Sequence, residues 1–270
     1  MKGLVVVICA PSQGGKDFIA QEVKKRLESF DDMETSYATS YKIREPRKDD
    51  KEYIVCVENE SDIPVKKEDQ ISAVIYGTQK IVYDKKEIDD KINKGKIVFI
   101  ASASPEIAKK VKAEFGDYSI AVFVKRQQVD SSIMIKEDLK RHGIFFDEAS
   151  DQDVEESVKR VNKRLLEYES MKTEMEEFVA NKESGADYIF KNWHTLIGGK
   201  WNDEIDEKAK NEFYSLCNFI WRVRLENAKN GAKWRSNSSF DLFGEEERTK
   251  NIFTMQDEWK KYIEEKRERV

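Results

Sequence analysis

The sequence predicts an α/β protein built on a mainly parallel sheet with helices on both faces. Three observations predict it. Leu4–Ala10, Ile97–Ala101 and Ser119–Val124 are short apolar runs rich in β-branched residues, the pattern of strands covered on both sides. Segments of helical periodicity separate them. The first run passes at once into Gly14-Gly15-Lys16 and a helix, a strand–glycine turn–helix unit.

In chain order, the first helix carries Phe18, Ile19, Val23 and Leu27 close to a 3.6-residue period. Lys24, Lys25 and Arg26 lie in its later turns, where cations suit the helix dipole. Asp31-Asp32 ends the pattern, Glu34–Tyr41 reads as a second strand, and Ser40–Lys48 as a basic loop. Tyr53–Val57 and Ile71–Ile75 read as strands on either side of a polar loop, Glu58–Gln70, and the second runs into Tyr76-Gly77-Thr78. Glu87–Lys94 is a short helix stopped by Gly95. Ser104 as cap and Pro105 at the first position open a helix with Ile107, Ala108, Val111 and Phe115 on its apolar face. Ile135–Arg141 reads as helix, Asp147–Asp153 as a polar break, and Val154–Val179 as a long charged helix; Tyr188-Ile189-Phe190 is a last short strand. Further on, Asp203–Asn227 places Ile205, Ala209, Phe213, Leu216, Ile220 and Val223 on one helical face, closed by Gly231. Asn237–Gly244 reads as a loop, and Glu245–Arg267 as a second helix with Ile252, Met255, Trp259 and Ile263 at helical spacing.

Composition narrows the function classes. The chain has 270 residues, 39% hydrophobic and 11% aromatic, enough for a packed core and against global disorder. Charged residues reach 37%, but the signs nearly cancel to a net −5, which argues against a broad electrostatic nucleic-acid footprint. Cys9, Cys56 and Cys217 are far apart, and His142 and His194 are the only histidines, so a zinc cluster is disfavoured. No stretch is long enough to span a membrane. Lys2 followed by Leu4–Ala10 imitates a leader only faintly, and the expected setting is a reducing cytoplasm.

Chemistry concentrates at 10–17. A phosphate-binding loop needs glycines so that backbone N–H groups can turn inward, a lysine to reach the β/γ-phosphates, and a Ser/Thr hydroxyl on Mg²⁺. Gly15 and Lys16 fit that pattern, while Ala10 and Asp17 stand where glycine and Ser/Thr would be. By itself the loop equally suits an ordinary turn with Asp17 stabilising the helix N-terminus. Downstream, Arg44 and Arg47 flank Pro46, and two guanidiniums on a stiffened loop suit a phosphate.

Taken together, residues 1–192 resemble the guanylate kinase family of P-loop nucleoside-monophosphate kinases. Ala10-Pro11-Ser12-Gln13-Gly14-Gly15-Lys16 resembles the family's G-P-S-G-x-G-K. Ser40 with Arg44-Glu45-Pro46-Arg47 resembles S-x-T-T-R-x-P-R, with Lys42 and Ile43 in place of the threonines. Tyr53-Ile54-Val55, Tyr76-Gly77-Thr78, Lys163-Arg164-Leu165 and Asp187–Asn192 are similar to its Y-x-F-V, Y-G-T, R-R-L and D-Y-V-x-x-N. The resemblance implies a P-loop kinase core at 1–192, a small inserted nucleotide-monophosphate lobe at about 36–80, and a lid at about 126–153. It also implies an ATP site from Pro11, Ser12, Gln13, Gly14, Gly15, Lys16 and Asp17, and a monophosphate site from Ser40, Arg44, Arg47, Tyr53, Glu68, Tyr76, Thr78 and Ser102. Lys16, Arg141 and Arg164 would be the catalytic cations, with ATP as substrate, a nucleoside monophosphate as acceptor and Mg²⁺ held with the help of Asp17.

The departures have chemical content. Ser102-Ala103-Ser104 replaces the family's D-x-D, and Lys140-Arg141-His142-Gly143 thins its arginine-rich lid. Phosphate grip is therefore expected to survive better than base recognition or metal handling. Asp17 can ligate Mg²⁺ or pair with Lys16 and blunt it. Two function classes follow: a guanylate kinase-type phosphotransferase, or a catalytically degenerate module that binds a nucleotide or a phosphorylated partner. Residues 193–270 are a helical C-terminal extension outside the resemblance. Its five tryptophans, Trp193, Trp201, Trp221, Trp234 and Trp259, favour packing on the core over a dimer or partner contact.

Overall fold

The computed structural model describes residues 1–10, 14–29, 33–47, 50–75, 79–102, 104–126, 131–181, 185–192, 203–231 and 234. The fold is mixed α/β. Strands β1 (Leu4–Cys9), β2 (Thr35–Tyr37), β7 (Ile97–Ser102), β8 (Ser119–Arg126) and β9 (Tyr188–Asn192) form a wholly parallel sheet in the order β2-β7-β1-β8-β9. All six residues of central β1 are buried, which is why its sequence shows no polar alternation.

The two-residue period of β1 divides the core. Leu4, Val6 and Ile8 pack toward α1 (Lys16–Glu28) and α6 (Asp203–Asn230). Val5, Val7 and Cys9 pack toward α2 (Lys85–Asn93), α3 (Pro105–Phe115) and Phe178 of α5 (Asp151–Ala180). Each fully buried aliphatic side chain stabilises the fold by roughly 1.5–3 kcal/mol.

Helix α6 is therefore one of the walls of the core. Phe213, Leu216, Phe219, Ile220 and Val223 are buried against the β1 face. The Arg26 guanidinium lies over the rings of Phe213 and Tyr214, at 5.1 and 5.2 Å. At the far end Asn227 Nδ2 and Trp234 Nε1 both donate to the Asp117 carbonyl, at 2.7 and 2.9 Å. Trp221 and Trp234 are buried, in keeping with the packing expected of the extension. The expected Asn237–Gly244 loop, the Glu245–Arg267 helix and Trp193, Trp201 and Trp259 lie outside the described residues.

A second sheet is built from β3 (Ser40–Ile43), β4 (Ile54–Val57), β5 (Gln70–Ile75) and β6 (Gln79–Asp84), in the order β4-β3-β6-β5. Three expectations need correction here. The single strand over Glu34–Tyr41 is two, because the chain leaves the main sheet after Tyr37 and enters the second at Ser40. Ala38 N–H still donates to Phe99 in one sheet, while Ser40 N–H already donates to Tyr53 in the other. The basic loop accordingly starts at Arg44. Strand β6 was not foreseen, although Ile81-Val82-Tyr83 is a β-branched and aromatic run, and it pairs antiparallel with both β3 and β5. Within the polar Glu58–Gln70 loop, Ile63 and Val65 join Val82, Tyr41, Ile43 and Val57 in a small core of their own.

Helix α4 (Ser131–Arg141) packs on the start of α5. The expected polar break ends early, because Ser150 caps α5 in a capping box with Asp153. Asp138 of α4 is fully buried and accepts from Arg160 Nε at 2.7 Å, tying the two helices together. The buried Lys112–Asp187 pair (2.9 Å), with Asp187 also accepting from Ala121 N–H, joins α3, β8 and the approach to β9.

Candidate functional site

The site starts where β1 ends. In a doubly wound sheet the crevice for ligands lies beyond the carboxyl ends of the central strands, where the strand order reverses. Gly14, Gly15, Lys16 and Asp17 stand there, after β1 and at the start of α1; Pro11, Ser12 and Gln13 lie outside the described residues. Gly15 takes a left-handed conformation, φ +84°, and a Cβ there would meet Asn192 Nδ2 at 2.9 Å. The turn requires glycine on both counts. Asn192, at the end of β9, donates to the Gly14 carbonyl at 2.9 Å and clamps the turn across the sheet edge.

Lys16 and Asp17 are the first two residues of α1, where helix N–H groups and dipole favour anions. Lys16 Nζ donates to Asp17 Oδ2 at 2.8 Å. The Asp17 side chain is 54% accessible and so open to solvent. The cleft walls push its pKa up, but Lys16 and then Lys42 outweigh them, and the carboxyl titrates below its ordinary range.

The opposite wall is the second sheet. Strand alternation puts Tyr41 and Ile43 in the small core and Ser40 and Lys42 on the other face. Ser40 is opposite Tyr83, and Lys42 opposite Ile81, both of which join the main core. Ser40 Oγ is buried and makes no hydrogen bond; the Tyr83 phenol is beside it without bonding geometry. Tyr53 stacks on Tyr37, with centroids 4.1 Å apart and 15° between planes. Burial and then Asp17 push the Tyr53 phenol up to about 12. Burial raises the Tyr37 and Tyr83 phenols as well, so all three are neutral donors at pH 7.

Arg44 is held by Asp50: Nη1 donates to Oδ2 at 2.8 Å and Nη2 to Oδ1. Asp50 also accepts from the Arg47 backbone N–H at 2.7 Å. The Arg44 guanidinium keeps the Asp50 carboxyl well below the usual carboxylate range. Arg47 is exposed, and only its backbone joins this network. Glu68 is exposed in a 3-10 turn, in the field of Lys86 at the start of α2. Tyr76 and Thr78 lie outside the described residues; Arg141 closes α4 and Arg164 lies within α5, but their side chains fall outside them too. Among the described residues Lys42 lies in the field of Lys16, Arg44, Asp17 and Asp50, and Tyr53 in that of Asp17.

Ser102 is buried at the end of β7, and its Oγ accepts from Ser104 N–H at 3.1 Å. Ser104 is the N-cap of α3 and Pro105 opens the helix, as expected, although the Ser104 hydroxyl makes no capping bond. A carboxylate from another element stands at this helix start. Glu174 of α5 faces the Glu106 backbone N–H, and burial pushes its pKa up. Burial and then Glu174 raise the neighbouring Cys9 thiol to about 12, so it is inert.

Lys42, Asp50, Asn192 and Glu174 were not singled out as site residues from sequence. Lys42 was hidden because Ser40–Ile43 reads as basic loop until the core behind Tyr41 and Ile43 is known. Glu174 had no readable signal, because its place depends on how α5 crosses α3.

The residues present do not suit a resident Mg²⁺. That ion wants near-octahedral oxygen ligands, yet Asp17 is occupied by one ammonium and faces a second, and hydroxyls stand at 102 and 104. Among the described residues no three His, Cys, Asp or Glu side chains group to hold a metal, and no helix is long and apolar enough to cross a membrane.

No family model and no curated protein matches the sequence. The structure is similar to the crystal structure of guanylate kinase from Anaplasma phagocytophilum, with a TM-score of 0.47 and 16% identity over 90% of this chain and 98% of that one.

Proposed function

We propose that the cleft between the two sheets is a nucleotide site of guanylate kinase type. The loop at 10–17 takes the phosphates of ATP, and the inner face of the second sheet takes the phosphate of GMP or a related nucleoside monophosphate. The observation that carries this reading is the opposition of Lys16, at the N-terminus of α1, to Ser40, Lys42 and Tyr53 on the facing wall. Phosphoryl transfer requires two phosphates brought in line and their spread negative charge neutralised, rather than covalent chemistry. Gly14, Gly15 and Lys16 would hold the donor. Ser40, Arg44 and Tyr53, with Tyr76, would hold the acceptor. An acceptor phosphate oxygen attacks the γ-phosphorus, and the bond to the leaving ADP breaks. Arg141 and Arg164 would approach the transferred group as α4 and α5 close, which also excludes water.

A second reading, a catalytically degenerate nucleotide-binding module, draws on a specific observation: Lys16 and Arg44 are both neutralised by carboxylates of the same chain. ADP formation measured with a panel of monophosphates separates the two. ATP binding that is lost in Lys16→Ala, with no turnover on any acceptor, leaves the module. No ATP binding at millimolar concentration, and indifference to Lys16→Ala, removes the nucleotide site altogether.

A further inference from the structure

We infer that Lys42 is a phosphate ligand of this cleft, bridging with Lys16 a single polyphosphate chain that binds without a divalent cation. The inference deepens the nucleotide-site reading and rests on it, but it holds for kinase and module alike.

Position comes first. Lys42 is the middle residue of the inward row Ser40, Lys42, Arg44, since Tyr41 and Ile43 are committed to the small core behind β3. Its backbone is fixed on both sides, by β4 at Cys56 and by β6 at Ile81, so the ammonium is presented from a rigid strand rather than from a loop.

Charge comes second. The groups acting on Lys42 are Lys16 and Arg44 on one side of the balance, and Asp17 and Asp50 on the other. Three cations, Lys42 included, face two carboxylates, and both carboxylates are already engaged, Asp17 by Lys16 and Asp50 by Arg44. Burial and the two neighbouring cations hold the Lys42 pKa below its ordinary value. An excess positive charge in a partly desolvated cleft is a demand for an anion. Ser40 adds a buried hydroxyl on the same face, beside the Tyr83 phenol.

The metal comes third. In a P-loop the hydroxyl after the lysine helps to carry Mg²⁺, which offsets phosphate charge. Here that position is Asp17, whose Oδ2 already accepts from Lys16 Nζ at 2.8 Å, and the carboxylate lies in the field of a second ammonium, Lys42. A divalent cation would meet net positive charge and a single occupied carboxylate. The two lysines supply the neutralisation instead. Asp17 keeps them from repelling each other until a phosphate arrives, then yields Lys16 to it.

The test is calorimetric titration of the full-length protein with ATP in EDTA and in excess Mg²⁺. The expected result is a dissociation constant in EDTA equal to or lower than that in Mg²⁺, since Mg²⁺ masks the charges that the lysines engage. Lys42→Gln should weaken ATP in EDTA about ten-fold or more, the loss of one charge-assisted contact. Lys42→Arg should restore it to within a few-fold. In the unmutated protein, ATP in EDTA should shield Lys42 from acetic anhydride, read by peptide mass spectrometry, so the inference stays testable if a variant misfolds. Binding that requires Mg²⁺, an unaltered affinity in Lys42→Gln, or unshielded Lys42 would overturn this inference and leave the nucleotide site standing. Absence of binding in both buffers would overturn both.

Discussion

At the scale of single residues, the cleft is a set of charges arranged around Asp17. Lys16→Ala removes the cation at the start of α1, and nucleotide affinity is expected to fall roughly ten- to hundred-fold, read by titration with ATP. Asp17→Ser restores a hydroxyl and releases Lys16. Turnover should rise if Asp17 only blunts the lysine, and fall if the carboxylate works in catalysis. Asn192→Ala should weaken nucleotide binding with little loss of overall stability, because the lost bond fixes the Gly14 carbonyl rather than the core. The pH dependence follows from Asp50. Arg44 depresses its folded-state pKa, so the stability it contributes is fully present above the unfolded value of about 3.9 and is lost as the pH falls through the folded value. Acid unfolding followed by circular dichroism should therefore be less steep below about pH 4 in Asp50→Asn than in the parent. A variant with an unaltered acid limb would show that the pair persists in the unfolded chain.

At the scale of elements, α6 behaves as a core helix. Phe219 is fully buried between Tyr188 and Trp234, with ring centroids 5.3 and 5.8 Å away. Phe219→Ala should cost about 3–5 kcal/mol and lower the melting temperature by about 10 °C, measured by calorimetry. Amides of 209–227 should exchange as slowly as those of β1, since both belong to one cluster. This helix was legible in the sequence because its apolar spacing is regular, and so were the buried strands β1, β7 and β8, whose runs are apolar throughout. The second sheet was less legible. Most of its strand residues are only partly buried, and Ser40–Ile43 reads as basic loop until Tyr41 and Ile43 are seen to serve a core made by Ile63, Val65 and Val82. That core is assembled from sequence-distant pieces, and no local period announces it. The glycine turn was readable as a phosphate candidate, but Asn192, 178 residues away from its partner Gly14, was not readable as its clamp.

At the scale of the whole molecule, a nucleotide site between the two sheets would balance grip against selectivity by what each wall presents. The side that would face phosphate is rich in cations, with Lys16 from α1, Lys42 from β3 and Arg44 just after it. The side that would read a base is poor in acids. Ser102 and Ser104 are buried hydroxyls, Ser102 is engaged by the Ser104 N–H, and Glu174, the carboxylate that approaches this corner, is turned to the start of α3. Guanine presents N–H donors that a carboxylate would accept, and a buried hydroxyl already in use discriminates weakly between purines. A site that pairs a substrate N–H selects by factors of about 10⁴ or more, while one that merely accommodates shape selects by about 10–200. The protein should therefore hold GMP, AMP and their deoxy forms with affinities that differ by less than about a hundred-fold. Competition of each against a fluorescent nucleotide, at fixed pH and salt, reads this directly. Restoring a carboxylate with Ser102→Asp should shift preference toward GMP while leaving inorganic tripolyphosphate binding within a few-fold, because the phosphate wall is untouched. A strong GMP preference in the parent, or a loss of tripolyphosphate binding in the variant, would mean that Ser102 belongs to the phosphate wall and that base selection comes from elsewhere in the cleft.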